Sequence, residues 1–212
     1  MINVLYHDKY IAVVEKPAGI LSEGEGANCL PTLLREELTA LGYTAPDPLT
    51  VHRLDKETRG IMVYALKSES ASRLCAAITQ GRWEKTYIAR LWGVPAEPSG
   101  RLCDLLYYDR ARGKSFVVDR QRKGVKEAVL DYETVSVYPD RTTSTVRVSL
   151  LTGRTHQIRV QFASRGLPLC GDRRYGAPAE SGKELCLCAV SLSFDHPRSG
   201  ERMSFEIEEA FE

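Results

Sequence analysis

The sequence predicts an α+β fold, with a large mixed, mainly antiparallel sheet flanked by helices and loops. Three observations lead there. Short apolar or alternating runs recur along the whole chain, from residues 2–6 to residues 203–207. Helical periodicity is confined to three segments, 31–41, 68–78 and 155–165. Strands and helices do not alternate strictly, which disfavours a parallel βαβ arrangement.

The first two strands are expected at 2–6 and 10–15, joined through the turn His7-Asp8-Lys9. Lys16-Pro17-Ala18-Gly19 then breaks the second strand. Residues 31–41 read as a helix, with Leu33, Leu34, Leu38 and Leu41 on one face and Gly42 ending it. The nearly continuous apolar run 60–66 is a buried strand. Ser68 caps the helix after it, and Glu69 lies in the first turn. Residues 85–92 form another strand, followed by a basic, irregular stretch. Residues 128–138 and 142–151 alternate and pair as strands. A turn at Thr152-Gly153 leads to a helix capped by Thr155 and ended by Gly166. Residues 185–194 and 203–207 are the final strands.

The chain has 212 residues, of which 43% are hydrophobic and 27% charged, an ordinary soluble balance with enough apolar material for a sizeable core. Residues 1–212 are read as a single domain, since no repeat or low-complexity linker divides them. The formal net charge of +1 predicts no polyanionic partner by itself. Its distribution is uneven: eight Lys or Arg face three Asp between Arg101 and Lys126. At the other end, Glu201, Glu206, Glu208, Glu209 and Glu212 face only Arg202. The six cysteines form no C-x-x-C pair and read as free buried thiols, neither a zinc knuckle nor a disulfide scaffold. No apolar run has the length of a signal peptide or of a bilayer span, so a cytoplasmic location is expected.

Three segments carry candidate chemistry. In His52-Arg53-Leu54-Asp55-Lys56-Glu57-Thr58-Arg59-Gly60, a carboxylate sits among Arg53, Lys56 and Arg59. Cations that close keep Asp55 ionised, ready to act as nucleophile or base, although the spacing alone favours a surface loop whose Asp caps a turn with Thr58. In Gly153-Arg154-Thr155-His156-Gln157-Ile158-Arg159, His156 and Arg159 share a helix face. They could hold a phosphate, supply Arg159 to a carboxylate, or be ordinary surface cations. In Lys85-Thr86-Tyr87, Lys85 and Tyr87 point to the same side of a strand, and Tyr87 offers a flat ring to a base or to the core.

Taken together, the segments resemble the RluA-type pseudouridine synthases. The family signature H-R-L-D-x-x-T-S-G matches residues 52–60, its K-P-x-G matches 16–19, and its K-x-Y matches 85–87. Its G-R-x-H-Q-I-R matches 153–159, and its G-D-x-x-Y-G matches Gly171-Asp172-Arg173-Arg174-Tyr175-Gly176. Five motifs in order, over residues 2–207, carry the resemblance. It implies a pseudouridine-synthase-like catalytic domain that isomerises uridine in ribosomal or transfer RNA. Asp55 would be the essential aspartate, Tyr87 the ring that stacks on the target base, and Arg159 the cation that pairs with the aspartate. Arg53 would hold the flipped nucleotide, and His52, Arg59, Arg154 and His156 would join it in binding substrate. The resemblance implies no metal and no organic cofactor. RNA is the expected partner, with neither DNA nor membrane, and the protein is expected to be monomeric. No separate N-terminal RNA-binding module is expected.

The family has Ser where this chain has Arg59, and the added cation is expected on RNA backbone. Two other classes compete: an inactive RNA-binding or assembly factor on the same fold, and a hydrolase using Asp55 with His52 or His156. The three retained residues Asp55, Tyr87 and Arg159 disfavour the first. The lack of a G-x-S-x-G elbow or a metal-ligand cluster disfavours the second.

Overall fold

The computed structural model of the chain describes residues 2–44, 46–139, 142–208 and 211. Eleven strands belong to one large sheet, and three α-helices accompany it. In chain order these are β1 (Asn3–His7), β2 (Ile11–Lys16), α1 (Leu30–Ala40), β3 (Leu49–Thr50), β4 (Arg59–Ala65) and α2 (Ser68–Thr79). Then follow β5 (Glu84–Trp92), β6 (Ser99–Asp109), β7 (Lys114–Val118), β8 (Val125–Val137) and β9 (Thr143–Leu150). α3 (Gln157–Ala163), β10 (Leu187–Asp195) and β11 (Arg202–Glu206) complete the chain. Its contacts divide it into two compact units: Met1–Lys85 with Ala189–Glu209, and Thr86–Cys188 with Ala210–Glu212.

In the first unit the strand order is β1-β2-β4-β10, with β3 on β4 and β11 on β10. β2 pairs antiparallel with β4, from Ile11 opposite Ala65 to Lys16 opposite Gly60. Both strands are apolar on both faces, and both are almost wholly buried. Ile11, Val13, Ile61, Val63, Leu74, Trp83 and Phe194 build the core beneath α2. The turn at residues 8–10 is held by Asp8, whose carboxylate accepts the N–H groups of Tyr10 and Ile11 at 2.7 and 2.8 Å. α2 has Lys67 at its N-cap with no side-chain bond, so Ser68 is the first helical residue and does not cap. α1 buries Leu30, Pro31, Leu34 and Leu38, whereas Leu41 lies past its end and is exposed.

Gly60 fixes where β4 enters the sheet. Its φ is +127°, and a Cβ there would lie 2.4 Å from Ala189 O and 2.5 Å from Ala189 N. Both obstacles are backbone of β10, which cannot swing aside. Gly60→Ala is therefore expected to destabilise the protein by about 2–4 kcal/mol, combining overpacking with backbone strain. Urea denaturation checks this, and an unchanged midpoint would refute it.

In the second unit the order is β5-β9-β8-β6-β7, and every pairing along it is antiparallel. The stretch expected to be irregular is an antiparallel three-stranded unit, called the basic meander below, with β6 in the middle: β6 and β7 form a hairpin, and β6 runs beside β8 over nine residue pairs. The basic residues sit in its two turns. Arg110 and Arg112 lie in the first, Arg120, Arg122 and Lys123 in the second, and all five are exposed. Arg112 pairs with Asp109 at 3.6 Å, and Arg122 lies over the Tyr107 ring at 5.0 Å. Leu106, Ala128, Val160 and Tyr175 form the core cluster between the meander and α3.

At the acidic end, Glu201, Glu206 and Glu208 are exposed and Arg202 pairs with Glu84 and Asp195, while Glu209 and Glu212 lie outside the described residues. Four of the six cysteines are buried free thiols, but Cys75 and Cys103 are exposed, against the expectation for all six. Among the described residues no helix is long and apolar enough to cross a membrane.

Candidate active site

The Asp55 loop connects β3 to β4 in the first unit, and backbone groups hold it from several sides. Asp55 is half-buried, and its carbonyl accepts the Thr58 N–H at 3.0 Å, closing a tight turn. Leu54 is buried, and both its backbone groups meet one hydroxyl: Ser22 Oγ accepts from Leu54 N at 3.1 Å and donates to Leu54 O at 2.7 Å. The Ser22 carbonyl in turn accepts the Tyr64 hydroxyl from β4 at 2.7 Å. On the other flank, Lys56 O accepts the N–H of Gly19 at 2.8 Å and the Lys16 ammonium at 2.9 Å.

Lys16 is the Lys of the K-P-x-G motif, and its side chain is fully buried. Its Nζ also donates to Pro17 O at 2.9 Å and Ile20 O at 2.7 Å, so all three protons have acceptors. Burial pushes its pKa down to about 8, while the nearby Asp55 and Glu57 carboxylates pull it back up. A cation is thus fixed under the loop that carries the candidate carboxylate.

Ser22→Ala leaves the Leu54 N–H and C=O buried without partners. The expected loss is about 1–3 kcal/mol of stability, accompanied by a fall in turnover as the loop loosens. Thermal unfolding and single-turnover rates measured side by side check this. Unchanged values in both would show that Ser22 does not support the loop.

His52 is buried beside Trp83, ring centroids 5.1 Å apart, and its Nε2 accepts the Val63 N–H at 3.0 Å. Burial, reinforced by Lys85, pushes its pKa well below the ordinary histidine value. The ring is neutral, with its proton assigned to Nδ1 by that hydrogen bond. His52, expected on substrate, is buried and bonded to the backbone of β4. Arg53 is exposed and pairs with Glu23. Arg59, expected on RNA backbone, is half-buried and bonded to Glu15 of β2 at 2.8 Å.

The second unit carries the other candidates. Tyr87 lies on β5 opposite Val148 of β9 and is 6% exposed. Arg159 is buried in α3 and binds Asp172 in a fork, Nε to Oδ2 at 2.7 Å and Nη2 to Oδ1 at 2.9 Å. Its guanidinium lies 5.3 Å from the Tyr175 ring centroid. The Tyr175 hydroxyl accepts the Ser115 N–H at 2.9 Å and meets His156 Nδ1 at 2.9 Å. Burial pushes the Tyr175 pKa up to about 12, so the phenol stays protonated.

α3 begins later than the sequence suggested. Thr155 does not cap it; His156 does, in the left-handed conformation at φ 55°, the only non-glycine residue with positive φ among those described. Gln157 ties the bend to β8, accepting from Thr152 Oγ1 and Arg154 N and donating to Val129 O. With seven residues, α3 is too short for a phosphate site at its N-terminus. Arg154 donates to Glu127 O at 2.8 Å along β8. The structure thus brings Arg159 and His156 together around Tyr175, and sets Asp55, Arg53 and Arg59 about the β3–β4 loop. Sequence reasoning named Lys16, Asp172 and Tyr175 only as motif letters and missed their roles. Ser22 gave no signal at all.

Among the described residues no group of three or more His, Cys, Asp or Glu is placed to hold a metal ion. What the geometry offers is a braced carboxylate loop in one unit and, in the other, a buried Arg, a strand Tyr and a basic meander. The class of protein follows from the comparisons: an RNA-modifying enzyme on an α+β sheet. Residues 10–164 match the RNA pseudouridylate synthase family, and the chain belongs to that family. An uncharacterized RNA pseudouridine synthase of Aquifex aeolicus is 38% identical, over 98% of this chain and 69% of the relative. The dual-specificity RNA pseudouridine synthase RluA of Yersinia pestis is 35% identical, over 98% of this chain and 99% of the relative. Among solved structures, human RNA pseudouridylate synthase domain containing 4 shares the fold, with TM-score 0.80 and 24% identity over 97% of this chain and 88% of that one. The chain is therefore a pseudouridine synthase by family, an isomerase acting on uridine in RNA.

Proposed function

We propose that this synthase is catalytically active on structured ribosomal or transfer RNA, with Asp55 as its catalytic carboxylate and Tyr87 and Arg159 completing the site. The two compact units act as one catalytic domain, monomeric and cytoplasmic. The observation that carries the reading is the bracing of the Asp55 loop through the Leu54 and Lys56 backbone, by Ser22, Gly19 and Lys16. Holding the backbone on both sides of a carboxylate is what a reaction that depends on its placement requires.

In this reading Asp55 attacks or deprotonates the ribose, and the bond from C1′ to uracil N1 breaks. Tyr87 stacks on the base while it turns. A bond from C1′ to C5 forms as the Asp55–C1′ bond breaks or the ribose proton is returned, the C5 proton leaves with help from Tyr87, and N1 takes up a proton. No atom is gained or lost and no electron is transferred overall, so the balance calls for no cofactor. The uridine must leave its stack at a cost of about a few kcal/mol. The exposed arginines and Lys123 of the meander turns offset that cost by binding phosphates. Arg53, Arg154 and His156 are assigned to substrate, whereas His52 and Arg59 are assigned to the framework.

The test is to incubate the protein with unmodified bulk RNA, without added metal or cofactor, and map pseudouridine at nucleotide resolution. New sites are expected. If RNA is bound but no site appears, the chain is an RNA-binding factor on a synthase fold.

A further inference from the structure

We propose that Lys85 is a substrate-binding residue that holds a phosphate of the target nucleotide. The proposal rests on the reading above that the chain acts on RNA through Tyr87. Lys85 stands near the start of β5, two residues before Tyr87 and on the same side of the strand. Two strand steps span about 7 Å, which suits one nucleotide whose base meets the ring and whose phosphate meets the ammonium.

The ammonium is half-buried and lies 5.2 Å from the centroid of the Trp83 ring. Trp83 is itself wedged between His52 and Phe194. Among the described residues no carboxylate pairs with Lys85 and no acceptor takes its protons; the Trp83 face lies beside it, and its charge reaches the buried His52 ring. The enclosed arginines differ: Arg159 has Asp172 and Arg59 has Glu15. Lys114, half-buried over Phe116 and Tyr175, shares the company of rings, so a ring-side ammonium alone is not what marks Lys85; its place two residues before Tyr87 is. Lys16 is the closest parallel: burial pushes both lysines down to about 8. Yet Lys16 spends its three protons on carbonyls, as a structural lysine does, and Lys85 spends none on the protein. A desolvated cation with a ring beside it is left short of compensation, since the aromatic face returns a fraction of lost hydration. An arriving phosphate supplies the missing anion.

Lys85→Met and Lys85→Arg test this, with pseudouridine formation and binding of labelled unmodified transfer RNA as readouts. Lys85→Met is expected to raise KM and the RNA dissociation constant about 10- to 100-fold, the loss of one charge-assisted bond. Its salt dependence should be shallower by about 0.7 in the log–log slope. Lys85→Arg should restore most of both. Wild-type affinity should weaken as pH rises through about 8, where the ammonium loses its proton, and Lys85→Met should lose that limb.

Stability separates a binding role from a structural one. The folded pKa of Lys85 lies below its ordinary 10.5, so its charge costs stability below pH 8 and the cost fades as pH rises toward 10.5. Lys85→Met should therefore melt higher than wild type at pH 7 and lose that advantage at alkaline pH. If Lys85→Met binds RNA with the wild-type salt slope and pH profile, or melts lower at pH 7, the proposal is overturned. If the wild type makes no pseudouridine, the catalytic reading fails, while the binding arms still decide the role of Lys85.

Discussion

Asp55→Asn is expected to abolish pseudouridine formation, lowering the single-turnover rate by about 10⁴-fold or more while leaving RNA affinity within a few-fold of wild type. The substitution keeps the shape of the side chain and removes its charge and nucleophilicity. A step that depends on a carboxylate acting on the ribose has no substitute in an amide, and losses of a nucleophile are among the largest known for single residues. The bonds that brace the loop are made by the backbone of Leu54 and Lys56, so the turn around residue 55 should keep its form. Mapping with wild type and variant in parallel, together with binding of the same RNA, checks both halves. Retained activity would remove Asp55 from the chemistry. A matching loss of binding would recast it as a substrate anchor.

Asp172→Ala is expected to cost about 3–5 kcal/mol of stability, because it removes the carboxylate that Arg159 grips through two buried hydrogen bonds. The side chains of this pair are 4% and 1% exposed, so water cannot replace the lost partner. Asp172 also lends its backbone carbonyl to Tyr175 N and Ala177 N, and disorder at its side chain will spread into that bend. Denaturant unfolding gives the size of the effect. The double variant Arg159→Met with Asp172→Leu separates stability from chemistry. Removing both charges should recover most of the lost stability while activity stays low, since Arg159 is assigned to the site. A single variant as stable as wild type would show that the pair is not what holds Arg159.

The strands and the Asp55 loop were readable in the sequence because their signals are local. β2 and β4 are continuous apolar runs, and the loop between charged residues is a motif in its own right. β6 was not readable. Over eleven residues it buries only Leu102 and Leu106, so neither a period of two nor an apolar run stands out among its polar neighbours. The start of α3 was misplaced because Thr155 has the chemistry of a cap, whereas the bend is made by His156 at positive φ and tied by Gln157, a long-range arrangement. The same holds for the site. Nothing local to His52 announces Trp83, which packs against its ring from thirty-one positions later. Nothing local to Arg59 announces Glu15, which reaches it from another strand. Ser22 is one hydroxyl in a polar loop, and only folding brings Leu54 onto both sides of it.

The anchor made by Lys16 has a consequence for how such a protein can change over time. Its three acceptors are main-chain carbonyls of residues 17, 20 and 56, and none is a side chain. Every amino acid offers that same oxygen, so the fastening is indifferent to what is written at those positions. The exposed side chain of Lys56 can be exchanged for another without releasing the loop beside Asp55. Shape and vocabulary are inherited separately: lineages can revise what the loop presents while its curvature passes on unaltered.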